Sequence, residues 1–351
     1  LEYGQSVLVG VYTDLRNPPG WRRPWPERFG RALERIREAE RLGAGAVWLS
    51  EHHLFEDGYL PQPMTFAAAI AAQTSRIRIA TAVMLAPLRP ALDLAEQFAI
   101  VDILSEGRVE MGLGLGYRIP EFEAFGQDIS RRFPLLEERL VEVRRLWREG
   151  ECTPPPMQDE VPGWIGATGP RAARMAGRLG EGLLWLDAAL LEPYREGLAQ
   201  GGHDVAGARM AGLANLVLAD DPEAAWPRIA PHLAYQRDSY NRYGAEGRAG
   251  TSLQPASLDS GSAPVEVESL RGPAEQALPP RFDVVTPDDA IERVTRWLGP
   301  MPVQHVYLWE SVAGMPDDLA DRHVELVSTR LAPALAGVGL PTPAPTNGST
   351  A

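Results

Sequence analysis

A strand-then-helix rhythm, repeated eight times, constrains this chain more than any single residue does. Apolar, strand-like runs occur at 6–15, 46–50, 77–85, 108–116, 163–168, 182–186, 208–219 and 303–311. Helical periodicity follows over 26–43, 64–75, 90–105, 131–149, 170–180, 190–200, 222–243 and 316–335, with a further helix at 287–299 before the last strand. Strands separated by helices pair in parallel, because a parallel neighbour is reached only through a crossover. Eight such units predict an α/β fold of the (β/α)8 TIM-barrel type with insertion loops; an open doubly wound sheet is the alternative. A single domain is expected over 1–340. Residues 245–281 break the rhythm and are rich in Gly, Ser, Pro and Ala, so they read as a lid or a disordered loop. Residues 341–351, "PTPAPTNGSTA", read as a disordered tail.

Composition removes several functions. The net charge of -13 opposes a nucleic-acid partner, which needs a positive field. All 34 basic residues are arginine, and without lysine there is neither a Schiff-base nucleophile nor a lysine-type phosphate loop. The single cysteine, Cys152, forms no intramolecular disulfide, and its loop-like surroundings give no reason for a lowered pKa. No apolar run approaches the roughly 20 residues of a membrane span, and the opening "LEYGQSVLVG" lacks the pattern of a secretory signal. A cytoplasmic enzyme is the expectation.

In a barrel, working residues gather where strands end at the C-terminal face. "AVWLS" delivers Glu51, His52 and His53 there; "RVEMGLG" delivers Gly114, Gly116 and Tyr117; "WIGAT" delivers Gly166, Ala167, Thr168 and Gly169. Neighbouring residues on extended backbone point opposite ways, so one histidine faces the mouth and the pair is poorly suited to one metal ion. His52 is read as the proton-handling group and His53 as a buried histidine bonded to a carboxylate. "GLGLGY" has G-x-G-x-G spacing and lacks the dinucleotide-binding pattern; its glycines either let backbone approach a flat ring or permit a tight strand exit. "GATGPRAAR" runs from strand into helix, which makes either an anion site supplemented by Arg171 or Arg174, or an ordinary helix start capped by Thr168. Tyr12, Trp185 and Trp309 at strand ends hint at an apolar or aromatic guest.

Together the motifs E-H-H (51–53), D-x-x-S-x-G-R (102–108), G-x-G-x-G (112–116) and E-F-x-x-F-G (121–126) resemble the bacterial luciferase-like superfamily, and 164–182 resembles its phosphate-side segment. The resemblance implies a (β/α)8 barrel that binds FMN, or in some branches the deazaflavin F420, at its mouth. It implies that His52 matches the catalytic histidine and that Glu121 lies near the flavin. It implies a non-proline cis peptide at Ala82–Val83 against the ring, and a phosphate turn at Gly166, Ala167, Thr168 and Gly169. Gly114 and Tyr117 fall beside the same ring. The luciferase catalytic subunit carries a cysteine and a phosphate-binding arginine where this chain has Gly114 and Leu115, so the resemblance implies either that Arg171 or Arg174 replaces that charge or that the flavin binds weakly.

The implied activity is a two-component monooxygenase. Reduced FMN from a separate flavin reductase would react with O₂ at C4a, and the peroxide would attack a small organic substrate. An F420-dependent dehydrogenase or reductase is the second expectation, and a non-catalytic flavin-binding relative the third. The resemblance also implies a homodimer formed through the helices at 64–75 and 90–105.

Overall fold

In the computed structural model, residues 7–166, 168–246, 267–270, 282–299 and 301–337 are described. The strands are β1 (Leu8–Thr13), β2 (Ala46–Leu49), β3 (Arg78–Thr81), β4 (Met84–Leu85), β5 (Val109–Gly114), β6 (Gly163–Gly166) and β7 (Gly182–Leu184). They continue as β8 (Met210–Leu213), β9 (Leu216–Leu218), β10 (Asp283–Val285) and β11 (Val303–Trp309). The first helices are α1 (Trp25–Leu42), α2 (Pro63–Ala71), α3 (Ala91–Leu104), α4 (Ile119–Ala124), α5 (Arg132–Arg148) and α6 (Pro170–Arg178). Then come α7 (Leu191–Gly201), α8 (Pro222–Glu246), α9 (Pro287–Leu298), α10 (Asp317–Leu326) and α11 (Ala332–Ala336).

The main sheet closes on itself. β1 pairs in parallel with both β2 and β11, the order continues through β8, β7 and β6 to β5, and β5 pairs with β3 and β4 to complete the ring. Among the described residues closure leaves the barrel sheet without an edge strand, and it confirms the (β/α)8 barrel over the open sheet. The predicted third strand, 77–85, is divided into β3 and β4 at the cis peptide Ala82–Val83.

The predicted seventh strand, 208–219, is corrected: only β8 belongs to the barrel, and β9 leaves it to form a separate parallel pair with β10. The break falls where Asn215 Oδ1 accepts from Trp309 Nε1 at 3.1 Å, while Ala214 N still donates to Tyr307 O at 2.9 Å. Asp283 N then donates to Asn215 O at 3.2 Å and starts the second ladder. His323 in α10 joins the two sheets: its Nδ1 accepts from Leu218 N at 2.8 Å and its Nε2 donates to Trp309 O at 2.9 Å. Of the segment read as a lid or loop, only 267–270 is described; 247–266, 271–281 and the 341–351 tail lie outside the described residues.

The D-x-x-S-x-G-R motif is architectural. Asp102 is fully buried and accepts from Met157 N and Gln158 N at 2.8 and 2.9 Å. Arg108 donates to Ile77 O at 2.8 Å and Thr74 O at 2.9 Å, which fastens the α3–β5 turn to the start of β3. A cation spread over several carbonyls stitches neighbouring βα units with few side-chain rotamers to order.

The barrel interior is uneven. Trp48 of β2 touches Trp164 of β6 across the barrel (6.1 Å between ring centroids) and stacks on Tyr307 of β11 at 4.8 Å. Tyr12 of β1 packs on Tyr307 and edge-on to Trp309. The β3, β5 and β6 side carries Ala80, Gly112, Gly114 and Gly166 instead. A Cβ at Gly112 would sit 1.7 Å from Thr81 O, so the strands there are too close for any side chain. Rings thus fill one part of the bore and closely approaching backbone another. Near the bottom, Glu110 takes charge from Arg78 and a hydrogen bond from Trp164 Nε1 at 2.7 Å.

Candidate active site at the barrel mouth

β2 ends on a hydrophobic run and hands Ser50, Glu51, His52 and His53 to the mouth, all buried. Glu51 is saturated: Oε1 accepts from His53 Nε2 at 2.7 Å and pairs with Arg89, while Oε2 accepts from Leu85 N at 2.6 Å. This ties the His52 loop to the segment just after Val83. His53 therefore has the structural carboxylate partner expected of it.

His52 is held by a residue 69 positions away. Its Nδ1 donates to Glu121 Oε1 at 2.9 Å, and the same oxygen accepts from His53 N at 2.9 Å. Arg118 completes the group at 3.3 Å from Glu121 Oε1 and 2.6 Å from His53 O. Burial opposes charge on Glu121, but the hydrogen bond and charge of His52, the His53 amide and Arg118 together hold it below the usual carboxylate range. An ionised Glu121 accepts the proton on His52 Nδ1 and leaves Nε2 as the nitrogen free to exchange a proton. That nitrogen faces the Tyr117 hydroxyl at 3.4 Å. Phe55, Tyr59 and Tyr117 surround the imidazole with ring centroids 4.7 to 5.3 Å away. The arrangement is an oriented acid–base group in an aromatic shell.

Ala82, Val83, Gly166 and Leu213, all at strand ends, are half-buried. The glycines play a more specific part than either sequence reading. A Cβ at Gly114 would lie 2.1 Å from Val83 Cγ2, and one at Gly166 2.7 Å from Val83 Cγ1. Both positions are empty so that Val83 can rest on them, and Val83 in turn forms the floor. Of the predicted turn, Gly166 ends β6, Thr168 is exposed and Ala167 lies outside the described residues. Gly169 is the N-cap of α6, with no side chain capping it, so Thr168 does not cap the helix. Pro170 carries no N–H, and Ala172 N and Ala173 N donate to Gly169 O at 3.1 and 3.0 Å, so the amides of Gly169 and Arg171 are those the start of α6 can offer to an anion. Arg174 is engaged by Glu196 at 2.6 Å, whereas the Arg171 guanidinium lies 4.0 Å from the Phe133 ring centroid. Arg132 sits over the other reach of the same ring at 5.6 Å.

Sequence reasoning missed Arg118 and Arg16. Arg118 follows a recognised motif residue and had a signal in its i, i+3 spacing to Glu121; Arg16 had none. Tyr12 and Trp309 are buried against each other, and Trp185 is half-buried. Cys152 is buried, and its thiol pKa is raised by burial. Among the described residues no group of three His, Cys, Asp or Glu is placed to hold a metal ion, and no helix is long and apolar enough to cross a membrane.

A closed ring of parallel strands defines a (β/α)8 protein, a class whose working residues gather at the strand ends. The luciferase-like monooxygenase sequence pattern matches residues 8–298, and the chain belongs to that family. It is 32% identical over 195 residues to an F420-dependent glucose-6-phosphate dehydrogenase of Amycolatopsis mediterranei, a match that covers 49% of this chain and 58% of that protein. A Rhodococcus erythropolis protein of the same name is 27% identical over 347 residues, covering 89% of this chain and 96% of the relative. The oxygenase component of a flavin-dependent trigonelline monooxygenase from Acinetobacter baylyi is 28% identical over 164 residues, 42% of this chain and 46% of that protein. In fold, a Streptomyces bottropensis monooxygenase superposes with a TM-score of 0.73 at 23% identity over 93% of this chain and 99% of that one.

Proposed function

We propose that the protein is a flavin-dependent oxidoreductase, and specifically the oxygenase of a two-component FMN monooxygenase acting on a small, uncharged organic substrate. The observation that carries this reading is the closed aromatic shell around His52, since oxygen-transfer chemistry requires water to be kept from the reacting centre. The half-buried strand ends at Ala82, Val83 and Gly166 fit a flat ring, and the uncapped start of α6 with Arg171 suits its phosphate. Gly114, Tyr117, Ala167, Thr168, Gly169 and Glu121 complete the proposed cofactor set. When bound, the flavin would supply electrons and oxygen activation; the protein binds, orients and shields. His52 is the proposed catalytic residue: Glu121 keeps its proton on Nδ1, so Nε2 takes up or returns a proton at the reacting edge.

Ion pairing at the mouth supports the uncharged substrate class. Arg16, Arg89 and Arg118 at the mouth face Asp14 and Asp57, Glu51, and Glu121 respectively. Those cations are already balanced, which disfavours a sugar phosphate. Reduced FMN would come from a separate reductase with O₂ as cosubstrate. A homodimer is supported by the outer face of α3, where Leu92, Ile100, Ile103 and Leu104 are exposed.

A second reading, an F420-dependent dehydrogenase, is favoured by the match to the Rhodococcus protein along nearly the whole chain. Two titrations separate them. Anaerobic fluorescence titration with reduced FMN and with F420 should show tighter FMN binding, and on mixing with air the protein should delay the return of oxidised-flavin absorbance. Tighter F420 binding with no such delay would establish the second reading instead.

A further inference from the structure

Arg16, just past the end of β1, is fully buried, yet its pairing is unusually loose for a buried cation. Its Nε is 3.4 Å from Asp14 Oδ2, its Nη1 is 3.6 Å from Asp57 Oδ2 and 3.4 Å from Gln236 Oε1, and its Nη2 has no hydrogen-bond partner among the described residues. Three aromatic rings enclose the guanidinium instead: Tyr59 at 4.7 Å, Tyr240 at 4.8 Å and Phe55 at 5.3 Å. Cation–π attraction grows when water is removed, so the aromatic box replaces the missing fork contacts. The partners come from three places: the β1 exit, the loop after His52, and α8.

Two of those rings have a second duty. Phe55 stacks on His52 at 4.9 Å and Tyr59 meets it edge-on at 4.7 Å. The faces that hold Arg16 therefore belong to the residues that hold the imidazole.

α8 is built in two chemically different halves. Trp226, Ile229, Ala230 and Leu233 are buried in the cluster that fills the barrel, and His232 Nδ1 donates to Ala313 O at 3.0 Å. Pro227 and Pro231 interrupt the hydrogen-bond ladder of the same half. Beyond Leu233 the contacts become polar and aromatic. Tyr235 hydroxyl donates to Asp57 Oδ2 at 3.1 Å, Gln236 Nε2 to Asp14 Oδ2 at 3.3 Å, and the Tyr240 and Tyr59 hydroxyls meet at 2.9 Å. Glu56 N donates to Tyr243 hydroxyl at 3.0 Å, and that ring packs on Phe55 at 3.8 Å. An element anchored by apolar burial at one end and by exchangeable contacts at the other can open at the second end without unfolding the first.

We infer that Arg16 is a positioning residue that pins residues 235–243 of α8 onto the His52 loop, so that this half-helix is the gate of the mouth and its closure sets the orientation of His52. The gate rests on the reading that the mouth is the working site, but its test needs no turnover, so either idea can fail alone.

The test is hydrogen–deuterium exchange on the full chain, together with ¹⁵N spectra of the histidine rings. In Arg16→Met, exchange over 235–243 and 52–60 should quicken roughly tenfold, while 225–233 and β1 stay within about twofold of the unaltered protein. Arg16→Lys keeps a charge opposite Asp14 and Asp57 and should show the same pattern at smaller amplitude. It should also move the His52 ring signals away from a pure Nδ1–H tautomer. Tyr240→Ala, which removes one ring of the box but keeps Asp14 and Asp57 opposite Arg16, should loosen 235–243 more than 52–60. If Arg16→Met does not fold, the lysine and Tyr240 variants decide. Uniform acceleration along the whole of α8, or unchanged His52 signals in Arg16→Lys, would overturn the inference.

Discussion

Acidification should weaken this protein through His323, and replacing that one residue should remove a defined part of the effect. His323 is buried with both ring nitrogens used: Nδ1 accepts from Leu218 N and Nε2 donates to Trp309 O. Burial, opposed in part by the Trp309 carbonyl, lowers its pKa from 6.5 to about 4. The folded protein thus resists a proton that the unfolded chain accepts. The stability gained is fully present above the unfolded value and is lost as the pH falls towards the folded one. Between about pH 7.5 and about pH 4.5 the loss is on the order of 2–3 kcal/mol. Glutamine can accept from Leu218 N and donate to Trp309 O without titrating, so His323→Gln serves as the comparison. Urea unfolding of both proteins across this range should give curves that converge by about that amount at the acid end. Glu110 and Glu310 also lie below the usual carboxylate range, despite burial, because of His305 and Arg78 in one case and Arg28 and Arg35 in the other. Their losses come as pH falls further and occur in both proteins. Parallel curves would refute the claim that buried His323 stays neutral in the fold.

Four shorter predictions accompany this one. His52→Ala should lower turnover roughly 10²–10⁴-fold while the urea midpoint changes little, because Glu121 keeps His53 N and Arg118; an unchanged rate removes His52 from the chemistry. Gly114→Ala should destabilise by about 1–3 kcal/mol through overlap with Val83, and adding Val83→Ala should recover most of the loss; equal loss in the double variant would show that Val83 is not the obstacle. Arg35→Met should cost about 3–5 kcal/mol by leaving Glu310 buried beside fewer cations, with the deficit shrinking as acid neutralises Glu310; a deficit independent of pH would contradict this. Ile100→Asp with Leu104→Asp should convert a dimer to monomer in sedimentation equilibrium, and a monomer before substitution would end the homodimer proposal.

Much of the fold was legible because period-2 apolar runs and helical stripes survive in the sequence wherever an element has one buried face. Residues 208–219 misled for a physical reason. "LANLV" contains neither Gly nor Pro, and the chain turns there because Asn215 finds Trp309, a partner 94 residues away. β10 is only three residues long and α4 only six, below the length at which periodicity can be told from chance. His52 and Glu121 could be picked out by residue type and motif, yet their contact joins the β2 exit to α4, 69 residues on, which spacing alone does not reveal. Arg16 sits in "DLRNPPG", which reads as a polar exit loop, and its burial depends on rings at 55, 59 and 240.

Val83 lies against both Gly114 and Gly166, like a peg between two bare rungs. The room available above that wall is therefore set by one side chain and not by the course of the backbone. Shaving Val83 would deepen the cup while the β5 and β6 ladders stay as they are. Someone wishing to admit a bulkier guest has a single place to cut.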